Sequence, residues 1–299
     1  MKTIIKPTYS IFRKSYFVGV LACLPLTVFA DNAAFDLLNK MTQSLHETSY
    51  KGVLVHVKNN EVITLKVSHT IENGEEIERV ERLNKNGTPY SRKVTNYSLS
   101  KLPEINNKMQ AVYSFDLGNI RKVASRPCQV VIARPKDRMR YLQKYCVDTE
   151  SSLLLDYTII DKSHKPIEQF MFTNVEIIGG KKGSVAAKSR QLKQKTLAIA
   201  DVTNANWSLK TTPKGFSLRQ APVMDKAQNG VETEHYILTD GLSSVSIFIS
   251  KKASNAKESG TRSGALNVVT YYKNGFAITL VGEVPVKTLK DIFNNLQKK

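Results

Sequence analysis

The residues best suited to chemistry in this 299-residue chain are its histidines, its three cysteines and its scattered carboxylates. The five histidines are His46, His56, His69, His164 and His235. No two of them have the spacing of a helical metal site, and no Cys-x-x-Cys motif is present. The chain also lacks the G-x-S-x-G elbow of serine hydrolases, and the glycine cluster at residues 179–183 lacks the pattern of a phosphate-binding loop. We therefore expect a binding protein rather than an enzyme, with no catalytic residue, metal or cofactor.

The first thirty residues have the pattern of a secretory signal peptide. Four cations and no acid precede an uncharged run at residues 15–30, and the run ends in Val28, Phe29 and Ala30, with a small residue at the expected cleavage site. We expect cleavage after Ala30. Two alternatives stay open: an uncleaved membrane anchor, which needs about 18 to 20 apolar residues where this run is shorter and broken by Pro25, and a lipoprotein modified at Cys23.

The charge of the chain restricts its partners. The formal net charge is +18, and removal of the four signal-peptide cations leaves +14 on the mature part. Such a surface suits nucleic acid, anionic lipid or an acidic protein. Export argues against nucleic acid, so we expect phosphate-rich lipid head groups or an acidic envelope protein.

Two cysteines, Cys128 and Cys146, remain in the mature chain. Each lies nine residues from Asp137, so a hairpin centred on Asp137 predicts that they face each other directly. In an oxidising compartment we expect a disulfide, and the alternative is two buried thiols.

The mature chain reads as two domains that combine helices with antiparallel strands. Residues 34–45 predict an amphipathic helix, with Ala34, Leu37, Leu38, Met41 and Leu45 on one stripe. Strands follow at residues 50–57, 62–71, 77–83, 111–115, 129–133, 139–145, 153–160 and 167–178, several of them joined by Asn-Asn or Asn-Gly turns. They predict a strongly curved sheet covered by the helix, and either an apolar cavity or an ordinary core fits between sheet and helix.

The amino-acid composition of the chain changes after residue 178. Residues 179–203 read as a basic, flexible linker, and residues 204–299 as a smaller antiparallel sheet with a terminal helix. Hairpin turns are expected at Asp240-Gly241 and Asn274-Gly275. The last helix should start at Pro285 and place its apolar stripe on the sheet; that stripe is Val286, Leu289, Ile292, Phe293 and Leu296.

Several runs of the chain resemble the MucB/RseB family. They are Tyr50-Lys51-Gly52, Val123-Ala124-Ser125-Arg126-Pro127-Cys128, Pro135-Lys136-Asp137-Arg138-Met139-Arg140-Tyr141, Val147-Asp148-Thr149-Glu150-Ser151, Ile167-Glu168-Gln169-Phe170, Pro213-Lys214-Gly215-Phe216 and Val281-Gly282-Glu283-Val284-Pro285. They stand in the family's order across nearly the whole mature chain. The chain departs from the family between Asn84 and Asn119, where polar residues replace an arginine-rich turn and an aromatic segment, and this puts the identity of a ligand in doubt.

The resemblance implies a fold and a function. The fold is an α+β protein in which residues 31–178 form a LolA/LolB-like half-barrel, a curved antiparallel sheet with a helical lid. The function is that of a periplasmic regulator, which binds an RseA/MucA-like transmembrane anti-sigma factor and protects it from regulated proteolysis. Acyl chains of lipoprotein or lipopolysaccharide act as the release signal. A periplasmic lipid or lipoprotein carrier is the alternative, and the oligomeric state stays open, a homo-oligomer included.

Two sets of residues are expected to form the binding sites. For the lipid cavity we expect Val53, Val55, Leu65, Leu153, Leu155 and Phe170. For the anti-sigma factor we expect Trp207, Phe216, Asp240, Gly241 and Leu242. Trp207 has a competing role as a core residue, and Gly241 has one as a turn former.

Overall fold

The computed structural model of the protein describes residues 27–72, 75–83, 105–178, 206–220, 233–251 and 257–299. The expected signal peptide lies outside these ranges up to residue 26, and the expected linker of residues 179–203 lies outside them entirely. The turns expected at Asn73-Gly74 and Asn86-Gly87 also fall outside the described residues. The domain division predicted from the sequence therefore stays a prediction at its boundaries.

Eight antiparallel strands form the first sheet. They are β1 (Ser49–Lys58), β2 (Glu61–Glu72), β3 (Glu75–Leu83), β4 (Tyr113–Val123), β5 (Arg126–Pro135), β6 (Leu142–Asp148), β7 (Leu154–Ile160) and β8 (Pro166–Ile178). Their spatial order is β3-β2-β1-β8-β7-β6-β5-β4. Strand β4 nevertheless comes close to β8, from which three strands separate it, so the sheet is strongly curved, as predicted.

Tight turns set the register of neighbouring strands. Asn59 and Asn60 join β1 to β2 with φ angles of 48° and 62°, which is the positive φ that the asparagines were expected to supply. Ala124 and Ser125 make the same kind of turn between β4 and β5, with φ angles of 49° and 64°. The sequence did not predict this second turn, because alanine and serine seldom adopt positive φ.

Strand β4 differs most from its predicted extent. The sequence predicted a strand at residues 111–115, whereas Asn107–Ala111 form a short 3-10 helix and the strand runs on to Val123. Most residues of its second half are exposed, including the apolar Leu117 and Ile120, and β4 is an edge strand of the sheet. This stretch lacks the apolar alternation on which the prediction depended.

One long helix, α1 (Thr27–Glu47), packs against β4, β5 and β6. Ala34, Leu38, Met41 and Leu45 are almost fully buried, which confirms the predicted stripe except at Leu37, which is only partly buried. Phe35 takes a place in the core instead, with its ring centroid 5.3 Å from that of Phe115 on β4.

A disulfide joins Cys128 on β5 to Cys146 on β6, with 5.3 Å between the Cα atoms. The predicted register was wrong by two residues. Cys146 pairs with Val130, and Cys128 pairs with Asp148, so the two cysteines are diagonal rather than direct neighbours. The hairpin is centred on Arg138, since residue 138 is the midpoint of the pair Val130 and Cys146.

The second domain contains a six-stranded antiparallel sheet in the order β10-β11-β12-β15-β14-β13. Its strands are β10 (Ser217–Gln220), β11 (Thr233–Thr239), β12 (Ser244–Lys251), β13 (Ser259–Ser263), β14 (Leu266–Lys273) and β15 (Phe276–Gly282). A separate ribbon pairs β9 (Trp207–Leu209) with β16 (Leu296–Lys298). The predicted hairpin at Asn274-Gly275 is confirmed, with φ angles of 52° and 78°.

The terminal helix α2 (Val286–Asn295) follows Pro285 and packs on β14 and β15. Leu289 and Ile292 are fully buried, as the predicted stripe requires. Val286 is 47% exposed, so its assignment to the stripe was wrong: the first helical residue faces solvent. Leu296 is buried in β16 rather than in the helix.

We expect the double variant Cys128→Ala/Cys146→Ala to lose about 3 kcal/mol of the free energy of unfolding. The disulfide closes a loop with a sequence separation of 18 residues, and loss of that constraint raises the entropy of the unfolded chain. Urea titration followed by circular dichroism measures the change. A reducing agent should destabilise the wild type by a similar amount and leave the variant unchanged, and equal midpoints for the two proteins would contradict the prediction.

Candidate functional site

The two domains meet around the side chain of Arg140, which is 2% exposed. Arg140 lies between β5 and β6, and its guanidinium forms ion pairs with Asp137 of the same connection and with Asp240 of the second domain. Its Nη2 donates a hydrogen bond of 2.6 Å to the backbone oxygen of Lys214. The ring of Phe216 stacks on it, with the guanidinium carbon 4.3 Å from the ring centroid. A cation removed from water needs such pairing, so the two domains share one charged centre.

The two carboxylate oxygens of Asp240 accept hydrogen bonds from different groups. Oδ1 accepts hydrogen bonds from the backbone nitrogens of Leu242 at 2.9 Å and Ser243 at 2.7 Å, and so organises the turn between β11 and β12. Oδ2 accepts from Arg140 and, at 3.1 Å, from the hydroxyl of Tyr113 on β4. Burial, and next the negative charge of Asp240, raise the pKa of Tyr113 well above its ordinary value. Tyr113 is therefore a hydrogen-bond donor to Asp240 throughout the physiological range.

We name Arg140, Asp137, Asp240 and Tyr113 together the Arg140 cluster. Gly215 lies beside it with φ of 82°, and a Cβ atom at Gly215 would stand 2.8 Å from Val112 and 3.2 Å from Nη2 of Arg140. The backbone of the second domain thus approaches the cluster more closely than a residue with a side chain allows.

A second polar contact between the domains involves Glu168 on β8. One carboxylate oxygen of Glu168 accepts a 2.6 Å hydrogen bond from Nε2 of His56, and the other accepts a 2.8 Å hydrogen bond from the backbone nitrogen of Ala265. Gly264 precedes Ala265 with φ of 62°, and a Cβ atom there would lie 2.4 Å from the Glu168 carboxylate. Its backbone nitrogen also donates to Asn59 at 3.0 Å. Residue 264 therefore has to be glycine for the domains to meet in this way.

Two further hydrogen bonds reach the connection between β5 and β6 from the second domain. Asn267 donates its side-chain amide to the hydroxyl of Tyr141 at 3.1 Å. Thr288 on α2 donates its hydroxyl to the backbone oxygen of Met139 at 2.8 Å. Contacts from several separate elements of the second domain thus converge on one short connection of the first.

Glu283 faces the same interface. Burial, and next the charge of Glu168, raise the pKa of Glu283 to about 7. Its charge in turn raises the pKa of Tyr145, after the larger effect of burial. Glu283 is nevertheless exposed to solvent in this arrangement, which limits the cost of ionising it. The interface therefore holds two carboxylates, Glu168 and Glu283, that repel each other when both are charged.

The residues expected to contact an anti-sigma factor fall into two places. Trp207 is 1% exposed and lies in the core of the second domain, its ring centroid 5.2 Å from that of Phe276. Phe216, Asp240 and Leu242 are each less than 10% exposed and lie at the interface with the first domain. Gly241 has φ of 98° in the turn between β11 and β12. As partner contacts these residues stay a prediction, and their surfaces are turned inward in this arrangement of the domains.

The residues expected to line a lipid cavity do not share one face of the sheet. Leu65, Leu153 and Leu155 are buried in the first core, and Phe170 is on its edge, stacked on His56 with 4.0 Å between centroids. Val53 and Val55 pair with Lys66 and Thr64, on the face opposite to Leu65. Leu242 and Ala265 of the second domain belong to the same buried cluster as Leu65 and Leu155.

The sequence did not point to Arg140, Glu168 or His56 as site residues. Arg140 falls in the strand predicted at residues 139–145, and a single sequence does not reveal that a second domain covers it. Glu168 and His56 lie at apolar positions of their strands. The available signal was a polar residue at a strand position that alternation assigns to the buried face. Alternation alone does not distinguish such a residue from one at the edge of the sheet.

Two classes of site are absent from the described residues. No group of three or more histidine, cysteine, aspartate or glutamate side chains within them has an arrangement that holds a metal ion. No helix within the same ranges has the length and apolar content needed to cross a membrane.

Family models match both halves of the chain. The model of the MucB/RseB N-terminal domain matches residues 33–99 and 89–197, and the model of the MucB/RseB C-terminal domain matches residues 201–297. The matched segments follow one another in the order of the two sheets.

The sequence identity to individual relatives is low. The chain is 26% identical over 198 residues to the sigma-E factor regulatory protein RseB of Salmonella typhimurium, and the match covers 64% of this chain but only 61% of RseB. It is 22% identical over 306 residues to the sigma factor AlgU regulatory protein MucB of Pseudomonas aeruginosa, which covers 92% of this chain and 93% of MucB. The fold is similar to that of a solved Pseudomonas aeruginosa MucA/MucB complex, with a TM-score of 0.68 and 21% identity over 89% of this chain and 99% of the solved one.

We expect Arg140→Met to lower the free energy of unfolding by about 3 to 5 kcal/mol, because Asp240 stays buried without its cation. Lys51→Met is a matched control, since it breaks an exposed ion pair with Glu176 at 3.1 Å on the first sheet. That change should cost less than about 1 kcal/mol. Urea titration measures both, and similar losses in the two variants would refute the role assigned to Arg140.

The pH dependence of stability should change in Glu283→Gln. In the folded protein the pKa of Glu283 is about 7, against an ordinary value of 4.5, so the wild type loses stability as the pH rises between these values. Glutamine is neutral at every pH and avoids that loss. The variant should therefore melt at a higher temperature than the wild type at about pH 8 and at the same temperature at about pH 4.

Thermal unfolding followed by circular dichroism across this range tests the prediction. The matched control is Glu176→Gln, which removes an exposed carboxylate far from the interface and should show no such divergence with pH. A wild type and a Glu283→Gln variant that melt together at about pH 8 would contradict the raised pKa of Glu283.

Proposed function

The chain belongs to the MucB/RseB family, and from that membership we propose that it regulates an envelope-stress sigma factor by binding the periplasmic part of a transmembrane anti-sigma factor. Binding protects this partner from the protease that starts its degradation. Lipid-bearing envelope components, recognised by their acyl chains, then release it. The protein acts by binding and not by catalysis.

The observation that carries the proposal is the match of both family domains in order, over residues 33–197 and 201–297. Two further findings support it. The relatives RseB and MucB are named as sigma factor regulatory proteins, and the fold is similar to that of MucB in a complex with MucA. Because the match spans less than two thirds of RseB, the activity and partners of that whole protein are part of the proposal and not of the finding.

The proposed location is the periplasm. A cationic and then uncharged stretch at residues 1–30 supports export, and the disulfide between Cys128 and Cys146 supports an oxidising compartment. The net charge of +14 on the proposed mature chain suits an acidic partner or an anionic membrane surface. We place the domains at residues 31–178 and 204–299 with the linker at residues 179–203.

For the lipid signal we propose the inner face of the first sheet. Leu65, Leu153, Leu155 and Phe170 supply apolar surface under α1 or beside it. Val53 and Val55, on the opposite face, take part only if a ligand also contacts the outside of the sheet.

For the anti-sigma factor we propose that the partner binds the arrangement of domains seen here. Phe216, Asp240, Gly241 and Leu242 then act by holding the second domain in place, and Trp207 acts by stabilising its core. This accounts for their burial, which leaves little of their surface for direct contact.

A second candidate function is a periplasmic carrier of lipid or lipoprotein. The curved sheet with α1 across one face favours it. A carrier should extract an acylated protein from membrane vesicles and transfer it to acceptor vesicles, and a regulator should bind the lipid without transferring it.

The proposed function predicts that the purified mature chain binds the periplasmic segment of its anti-sigma factor with a dissociation constant below about 1 μM. The bound segment should be cleaved more slowly by the protease that starts its degradation. Surface plasmon resonance measures the first effect, gel densitometry the second, and the cytoplasmic part of the same anti-sigma factor is the control ligand. Absence of binding at micromolar concentration, with the chain folded, would exclude the proposal.

A further inference from the structure

We infer that two turns of the second domain close the inner face of the first sheet, and that an acyl chain competes with them for the same space. The turns are residues 240–243 and 264–265, and we call them the docking turns. The inference rests on the lipid-responsive part of the proposed function and adds what has to move when the ligand binds.

Each docking turn inserts one apolar side chain into the core of the first domain. Leu242 is 9% exposed and Ala265 is fully buried, and both belong to the cluster that contains Leu65, Leu155 and Tyr157. A leucine and an alanine contribute little apolar area compared with an acyl chain, whose burial grows with each methylene group. The space they occupy is therefore one for which a lipid can compete.

Polar contacts, rather than apolar area, hold the docking turns in position. The Arg140 cluster fixes the first turn through Asp240, and the amide of Gln143 donates to the backbone oxygen of Leu242 at 3.4 Å. Glu168 fixes the second turn through the backbone nitrogen of Ala265. When the domains part, water replaces these contacts. The free-energy difference between the docked and undocked states is therefore smaller than it would be for a fully apolar interface.

Competition between the acyl chain and the docking turns makes the acyl chain a signal for release of the anti-sigma factor. A ligand that binds only when the docking turns have left shifts the protein toward the undocked state, and undocking removes the arrangement to which we assign the anti-sigma factor. By reciprocity, the anti-sigma factor and the acyl chain each weaken the binding of the other.

Asp240→Asn tests the inference without removing the turn. The asparagine Oδ1 still accepts from Leu242 and Ser243, whereas its Nδ2 faces the donors of Arg140 and Tyr113, so the change is confined to the interface. The mature full-length variant should bind a dansylated fatty acid about tenfold more tightly than the wild type and the anti-sigma segment about tenfold more weakly. Dansyl fluorescence and surface plasmon resonance measure the two affinities. Lys51→Met, the exposed control, should leave both within about twofold.

Small-angle X-ray scattering gives a second test on the wild type alone. Saturation with the dansylated fatty acid should increase the radius of gyration, because the domains part when the ligand enters. This test holds even where Asp240→Asn fails to fold.

The inference is overturned if Asp240→Asn binds the fatty acid no more tightly than the wild type, if the wild type does not bind it, or if its radius of gyration stays unchanged at saturation. In each case tight binding of the anti-sigma segment by the wild type would leave the proposed binding and protection of the anti-sigma factor standing. Loss of that binding in the wild type would instead remove the proposed function, and the fatty-acid measurements would still decide the competition.

Discussion

The structure depends on a cation that is kept out of water between two domains. Arg140 has almost no contact with solvent, and it satisfies its charge with one carboxylate from its own domain and one from the other. Replacing either partner by a neutral side chain while the domains stay together would leave a buried charge unpaired, which is far more costly than losing an exposed ion pair. The arrangement of the two sheets is therefore fixed by electrostatics at one point and by shape around it, where Gly215 and Gly264 let the backbones approach.

The same constraint connects the two proposed binding activities. The first sheet has an inner face that a helix covers from one side and that Leu242 and Ala265 reach from the other. The residues that position these two side chains are also the residues that bind the domains together. A change at the inner face therefore affects the position of the second domain directly, because the contacts that hold Leu242 and Ala265 in place also join the two domains.

The sequence predicted the parts of the fold that local chemistry decides. Asparagine at residues 59 and 60 fixed a hairpin, and the stripe that contains Leu38 and Met41 fixed the face of α1. The sequence did not predict features that depend on contacts between residues far apart in the chain. The pairing of Cys146 with Val130 depends on the turn that forms between the strands, and cysteine positions alone do not define it.

The candidate site was the least predictable part. Val53 and Leu65 were grouped because both are apolar residues of adjacent strands, yet the register places them on opposite faces. Arg140 was assigned to a strand predicted at residues 139–145, and its partner Asp240 was not recognised because it is 100 residues away in the chain. The family resemblance supplied the order of the motifs but not which of their residues meet.

Pulsed electron paramagnetic resonance can test whether Arg140 holds the two domains in one arrangement. Spin labels at Lys66 on β2 and Lys290 on α2, both exposed, report the separation of the two domains. We expect one narrow distance distribution for the wild type and a broad one for Arg140→Met under the same conditions. A distribution that is already broad in the wild type, or one that stays equally narrow without Arg140, would contradict this expectation.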